Sequence, residues 1–363
     1  MSIMPAVNDA SRSAPKPADW PAGDLESVPR CEVCAGARRA CWLAGLEDRI
    51  FHAAPGRWTL WRCLDCGAVR LDPRPSAASI ARAYGSYYTH AGVERNFLVP
   101  GDRPDLKLKR AMHLSDYNRR YGYRFAGALP LGWLAIAASG WRSARAGQFI
   151  RHLPAPREEA RLLDVGCGDG RFLRLARVLG YAAEGIEFDA AAAALAERQG
   201  FPVHVGGVAE AQLPAGAFDQ ITLSHVIEHL HDPVAALARL RDGLRPGGRL
   251  WLQTPNVESA GAQRFGADWR GLEPPRHLVL FGPGSLRLAL ERSGFERIAV
   301  MPPQLDAAFY IGQSLAIRAG RDPYRLGPAE RRAARREGGA WDRAALADPG
   351  RAESITMVAF RPA

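Results

Sequence analysis

From residue 161 onward, apolar and polar positions alternate between strand-like and helix-like periods. Leu162, Leu163 and Val165 form a short apolar run that predicts a buried strand. The run breaks at Gly166, Gly168 and Gly170. An apolar stripe at Phe172, Leu173, Leu175, Ala176 and Leu179 then predicts a helix. A second short strand ends on Glu187, and the alanine-rich segment from Asp189 predicts another helix. Residues 202–205 read as a third strand and 218–226 as a fourth. Leu237, Leu240 and Leu244, at i, i+3 and i+7, predict a helix closed by Pro246, Gly247 and Gly248. LWLQTPN, ERIAVMP and SITMVAFRP supply three more strands. The long connection 307–350 is expected to hold one or two helices. Strands alternating with helices predict an α/β sheet with helices on both faces.

The pattern before residue 158 is different. Residues 1–27 are rich in Pro, Ser and Ala, lack an apolar signal-peptide core and predict a disordered lead-in. Residues 28–75 carry two C-x-x-C knuckles, Cys31/Cys34 and Cys63/Cys66, with apolar strand positions at Trp58, Leu60, Trp61, Val69 and Leu71. Two residues between thiolates let both sulfurs reach one tetrahedral ion, so a structural Zn²⁺ held by four cysteines is expected here, in a zinc ribbon. Cys41 lies outside both knuckles. Residues 76–157 predict a helical linker or lid: Ser76 opens a helix through Ile80 and Tyr84, and LKLKRAMHLSDYNRRYGYRF reads as a basic helix. The uncharged stretch 125–141 sits between Arg124 and Arg142. It is at the lower limit of a membrane span and is interrupted by Pro130, so it reads as a packing or lid helix, with peripheral membrane contact as the rival. The catalytic domain is expected over 158–363.

Composition changes this picture little. The chain has 363 residues, 47% hydrophobic, and a formal net charge of +10 carried almost wholly by arginine. Such basicity suits nucleic acid or an anionic membrane, but no stretch interleaves Arg with aromatics in an RNA-binding pattern. Solvated arginine faces are the plainer reading, with Arg331, Arg332, Arg335 and Arg336 as the densest cluster. Without a secretory signal, the paired cysteines favour metal over disulfides, and a cytoplasmic setting, with membrane-peripheral contact as its variant, is expected.

Strand, glycine turn, helix, strand, acid is the βαβ grammar of an adenosine-cofactor site, in which glycines admit close backbone approach and the terminal carboxylate takes ribose hydroxyls. The spacing here is D-x-G-x-G-x-G, with one residue between successive glycines, whereas the dinucleotide fingerprint places its third glycine one residue later. Asp164, just before the turn, adds negative charge where a diphosphate would sit. With DVGCGDG and GIEFD in place, the segment resembles motif I and its acidic partner in the class I S-adenosylmethionine (SAM)-dependent methyltransferases.

The run from His225 to Asp232 resembles the HVLEHL-x-DP signature of many small-molecule methyltransferases. The block from Trp269 through Pro275 to His277 and Leu278 resembles a further family motif, W-x-x-x-x-x-P-x-H-L. The likeness covers roughly 31–90 and 160–363. It implies a Rossmann-like seven-stranded sheet, its last strand antiparallel, preceded by the zinc ribbon. Asp164, Gly166, Gly168, Gly170 and Glu187 are the implied SAM residues, with Glu210 beside the adenine and Ser224 and His225 at the end of strand four. His277 is the implied general base, with His277 as a loop anchor equally open. His225 is placed near the methionine portion and Glu228-His229 are mostly braces, since the run before Pro233 does not set its histidines and acids on one helix face as a metal site would need. Tyr87, Tyr88, Asn256, Trp269 and Arg276 are candidate substrate walls. The expected reaction is methyl transfer, by O-methylation, to a small molecule or glycan such as a sugar or sugar nucleotide. An RNA methyltransferase gripping phosphates through ribbon and basic surface is one rival. A non-enzymatic SAM-binding scaffold is the other.

Overall fold

The computed structural model describes residues 19–85, 98 and 104–363. Tyr87 and Tyr88, and most of the expected lead-in, lie outside the described residues. The N-terminal part runs β1 (Leu25–Glu26), β2 (Arg39–Leu46), β3 (Trp58–Cys63), β4 (Val69–Leu71) and β5 (Arg74–Pro75). Helices α1 (Pro104–Tyr121), α2 (Gly132–Ala137) and α3 (Gly140–Phe149) follow. The expected stretch 125–141 is therefore broken between two helices, and Ser139 caps the second by accepting from the Arg142 N–H. Among the described residues, no helix is long and apolar enough to cross a membrane.

The α/β part opens with β6 (Arg161–Val165), α4 (Arg171–Val178), β7 (Ala182–Glu187), α5 (Ala190–Glu197), β8 (Val203–Val205) and β9 (Phe218–Ser224). It continues with α6 (Pro233–Gly243), β10 (Leu244–Pro255), α7 (Ala260–Phe265), β11 (Val279–Leu280), α8 (Pro283–Arg292) and β12 (Glu296–Val300). The chain closes with α9 (Ala307–Arg318), α10 (Pro328–Ala347) and β13 (Ser354–Phe360). Seven strands form the main sheet in the order β12-β13-β10-β9-β6-β7-β8, and β13 is antiparallel to both neighbours, as expected. Two helices fill the long connection before it.

Alternation along β6 shows why both faces are covered. Leu162 joins Leu175 and Ala176 of α4, Leu179 just past its end and residues of α1 in one apolar cluster, while Leu163 and Val165 pack with Leu237 and Leu240 of α6 and Leu286 of α8. Helices α1 and α3 thus pack in the layer beside α4. β6 pairs in parallel with β7 on one side and β9 on the other, so the winding reverses there. The crevice outside the carboxyl ends of those strands is where open α/β sheets bind ligands.

The ribbon is not a separate bead. Its sheet has the order β11-β4-β3-β2, and β11 comes from residues 279–280, immediately after the His277 block. Trp58, Leu60, Val69 and Leu71 share one core with Leu278, Val279 and Leu280.

Candidate active site

The glycine turn is shaped by backbone that only glycine adopts cheaply: φ is +73° at Gly166, +55° at Gly168 and +82° at Gly170. The three glycines differ in what a side chain would meet. A Cβ at Gly166 would lie 2.5 Å from Val226, and one at Gly170 would lie 3.0 Å from Ala196, so both serve packing. A Cβ at Gly168 would meet nothing within 4 Å, which makes it the glycine that opens onto the crevice. Its N–H donates to Glu187 Oε2 at 2.8 Å, and Asp189 N–H donates to Oε1 at 2.9 Å. Glu187 is thereby fixed at the end of β7 with lone pairs still available. Burial pushes its carboxyl above the ordinary range.

Asp164 is fully interior. Thr222 Oγ1 donates to its Oδ1 at 2.7 Å, and Arg151, just beyond α3, forms an ion pair with the same oxygen. Oδ2 is buried and has no protein partner. An orphaned acidic oxygen beneath a turn open at Gly168, beside an anchored Glu187, is a donor set that fits SAM. Glu187 would take the ribose hydroxyls, and the turn would accommodate the methionine portion. Glu210 is exposed and accepts from the Gly207 N–H at 3.0 Å, bracing the loop after β8.

At the end of β9, Ser224 pairs with Gln253 across to β10, and His225 adopts φ +56°, which swings its ring out of the strand direction. The ring is 37% exposed, and its Nδ1 lies 3.4 Å from Oε1 of Glu228, which is wholly buried. Thr254 Oγ1 donates to the other oxygen of Glu228 at 2.9 Å. Burial pulls His225 down, but the Glu228 carboxylate more than reverses this and leaves the imidazole above its ordinary value. Glu228 suffers the same burial penalty and is nevertheless drawn down to about 2, chiefly by His225. Thr254 thus orients Glu228, and the His225 ring faces the other oxygen of Glu228 at ion-pair distance without a hydrogen bond; the three make a carboxylate–imidazole relay held by charge.

Behind the relay stands a second histidine pair. His229 Nδ1 lies 3.0 Å from the Arg276 carbonyl and 3.0 Å from Tyr84 Oη. A carbonyl only accepts, so Nδ1 carries the proton and Nε2 the lone pair. The same logic applies to His277, whose Nδ1 lies 2.8 Å from the Gly271 carbonyl. Burial pulls His277 down to about 4, so it is neutral at neutral pH. It is 4% exposed, and its ring packs edge-on against His229 at 4.8 Å. Ligating atoms of Glu228, His229 and His277 lie within 4.8 Å of one another.

Of the residues expected to line a substrate wall, Asn256, Trp269 and Arg276 are interior. Arg276 is fully buried, pairs with Asp48 and donates to the Ala83 carbonyl at 3.0 Å. Trp269 Nε1 donates to Glu353 at 3.0 Å, and Asn256 Nδ2 donates to the carbonyls of Gly350 and Ala352. These groups hold the walls in place. Sequence reasoning missed Arg151, Thr222 and Asp48: each stands in an unremarkable local pattern, and only the fold brings it to its partner.

Cys31, Cys34, Cys63 and Cys66 converge, with ligand atoms all within 4.8 Å. The Cys31–Cys66 and Cys34–Cys63 sulfur separations are 3.6 and 3.5 Å. Four sulfurs at about 2.3 Å from a tetrahedral Zn²⁺ stand roughly 3.8 Å apart, so this cluster fits a structural zinc. Cys41 sits exposed on β2, away from it.

A family model described as a methyltransferase domain matches residues 139–300. The ubiquinone biosynthesis O-methyltransferase of Dinoroseobacter shibae is 31% identical over 169 residues, covering 42% of this chain and 67% of that protein. The chain belongs to the class I SAM-dependent methyltransferases. This methyltransferase is also 38% identical over 136 residues to the ubiquinone biosynthesis O-methyltransferase of Cereibacter sphaeroides, covering 34% of the chain. It spans about half the length of that relative, 54%. A solved SAM-dependent methyltransferase from Archaeoglobus fulgidus superposes with a TM-score of 0.41 at 19% identity, over 62% of this chain and 96% of the other.

Proposed function

We propose that this chain transfers the methyl group of SAM to a hydroxyl of a small-molecule acceptor. The observation that carries the reading is the relay from Thr254 through Glu228 to the accessible ring of His225, one residue before the Val226 that packs under Gly166. SAM brings an activated methyl group, leaving the protein to align the nucleophile and remove its proton. Above its raised pKa, the His225 imidazole is neutral and accepts the hydroxyl proton. Glu228, ionised throughout, stabilises the imidazolium that results. This gives the proton to His225, expected beside the methionine portion, in place of His277, the expected general base, which is buried. His277 positions His229 and Tyr84 from behind.

The relatives named as O-methyltransferases support oxygen as the accepting atom. A sugar or other glycan hydroxyl is the narrower reading, resting on the ribbon and the His277 block. One observation favours RNA instead: a tRNA U34 carboxymethyltransferase of Chromohalobacter salexigens is 33% identical over 190 residues. A labelled-methyl assay with sugar nucleotides, lipid-linked glycans, phenolic acceptors and RNA decides between them. Transfer to a small hydroxyl that is lost in His225→Ala is the expected result. Labelling of RNA alone, or of no acceptor despite SAM binding, would refute the proposal.

A further inference from the structure

Between Asp116 and Glu158 the chain carries seven arginines and no acidic residue. Three of the arginines are committed inward or to a helix: Arg120 to Asp116, Arg151 to Asp164 and Arg157 to Asp219. Arg119, Arg124 and Arg142 are exposed and make no ion pair among the described residues. The same segment exposes large apolar side chains: Leu131 is 66% exposed, Leu134 47%, Trp141 41% and Leu129 38%.

These residues belong to one surface. The Leu129 N–H donates to the Ala111 carbonyl of α1, and a Cβ at Gly132 would lie 3.0 Å from Met112 Cα. Leu108, 55% exposed, is one turn before Met112 on that side of α1. Arg142 Nη1 donates to the Ala135 carbonyl at 3.0 Å, tying the start of α3 to α2. Leu131 holds φ +57°, a left-handed conformation costly for a branched side chain, and its isobutyl group is the most exposed of the set. Arg119 stacks at 3.3 Å over Trp133 and Arg145 at 4.4 Å over Trp141, pairing a flat cation with an amphipathic ring as at lipid headgroups.

We propose that the face made by Leu108, Leu129, Leu131, Leu134 and Trp141, with its arginine rim, docks on an anionic lipid bilayer. The leucines enter the headgroup boundary and the arginines neutralise lipid phosphates, which is the division of labour of an interfacial anchor. None of α1, α2 and α3 is long and apolar enough to cross the bilayer. Charge selects this occupant. A second copy would bring two identical arginine rims together, and RNA would engage the arginines but gain nothing from the exposed leucines.

The test uses the full chain without SAM, co-sedimented with phosphatidylcholine vesicles, with or without phosphatidylglycerol. Binding to the anionic vesicles at least about tenfold tighter than to the neutral ones, weakening with added salt, is the expected result. Leu131→Glu/Leu134→Glu is expected to lose about tenfold or more, with melting temperature and SAM binding unchanged. No retention on anionic vesicles, or equal retention of parent and variant, would overturn the proposal. So would self-association, or RNA retention without vesicle binding, that the same substitutions abolish.

Discussion

Arg276 and Asp48 form a two-pronged ion pair at 2.7 and 3.0 Å, wholly inside the protein, although 228 residues separate them in the chain. Asp48 belongs to the ribbon and Arg276 to the block that ends in His277. Asp48 also accepts from the backbone N–H groups of Ala53 and Ala54, so its turn and the His277 block share one carboxylate.

Removing one partner leaves a buried charge without compensation. Asp48→Ala is expected to cost roughly 3–5 kcal/mol in urea unfolding, while Asp48→Leu/Arg276→Met recovers much of that loss. Burial pushes the Asp48 carboxyl up, but Arg276 outweighs it, and the folded-state value falls below the ordinary one. The pair's contribution is therefore whole above about pH 4 and is lost as pH falls further, in wild type but not in the double variant.

Gly168→Asp separates ligand binding from folding. A Cβ there meets nothing within 4 Å, so the stability cost is expected to lie mainly in the left-handed backbone, about 1–2 kcal/mol. Calorimetric titration with SAM is expected to show no binding. Gly166→Ala, by contrast, forces Val226 aside and is expected to lower the melting temperature.

Proton transfer to His225 has a pH signature. The acidic limb of kcat/KM is expected above the ordinary histidine value of about 6.5, because the base must be neutral and Glu228 holds it protonated longer. Glu228→Gln removes the largest support and leaves only the Asp306 and Glu273 carboxylates against burial, so the limb moves to lower pH. His225→Ala is expected to reduce kcat about 10²–10⁴-fold. An unmoved limb in Glu228→Gln would assign the base elsewhere.

Metal analysis of the purified chain is expected to find about one zinc per molecule, lost in Cys34→Ser. Chelation is expected to do more than melt the ribbon. Leu71 N–H donates to the Leu278 carbonyl, and Leu278 N–H donates to the Glu228 carbonyl, so the zinc sheet abuts the relay. Methyl transfer and the near-ultraviolet tryptophan signal are expected to fall together as zinc is withdrawn.

Local chemistry was legible before the structure; distant pairing was not. Gly166 to Gly170 and Glu187 announce themselves because a turn, a helix start and a strand end are written in consecutive residues. The two knuckles do so for the same reason. Arg276 looked like a pocket wall from its neighbours, and nothing near it in the chain points to Asp48. Arg151 is one arginine among seven in an acid-free segment, and only the folded sheet sets it beneath Asp164. The strand β11 has two residues, too few for any period to show.

That short strand bears on the order in which the molecule is made. Cysteines 31 to 66 leave the ribosome long before Val279 and Leu280 exist, so a nascent ribbon can close around zinc while the far edge of β4 is still unpaired. An open strand edge is a template for wrong pairing. It is covered only once about 200 further residues have been translated, and the residues that cover it are those that carry His277 into place. Placement of His277 and protection of the ribbon edge are a single event.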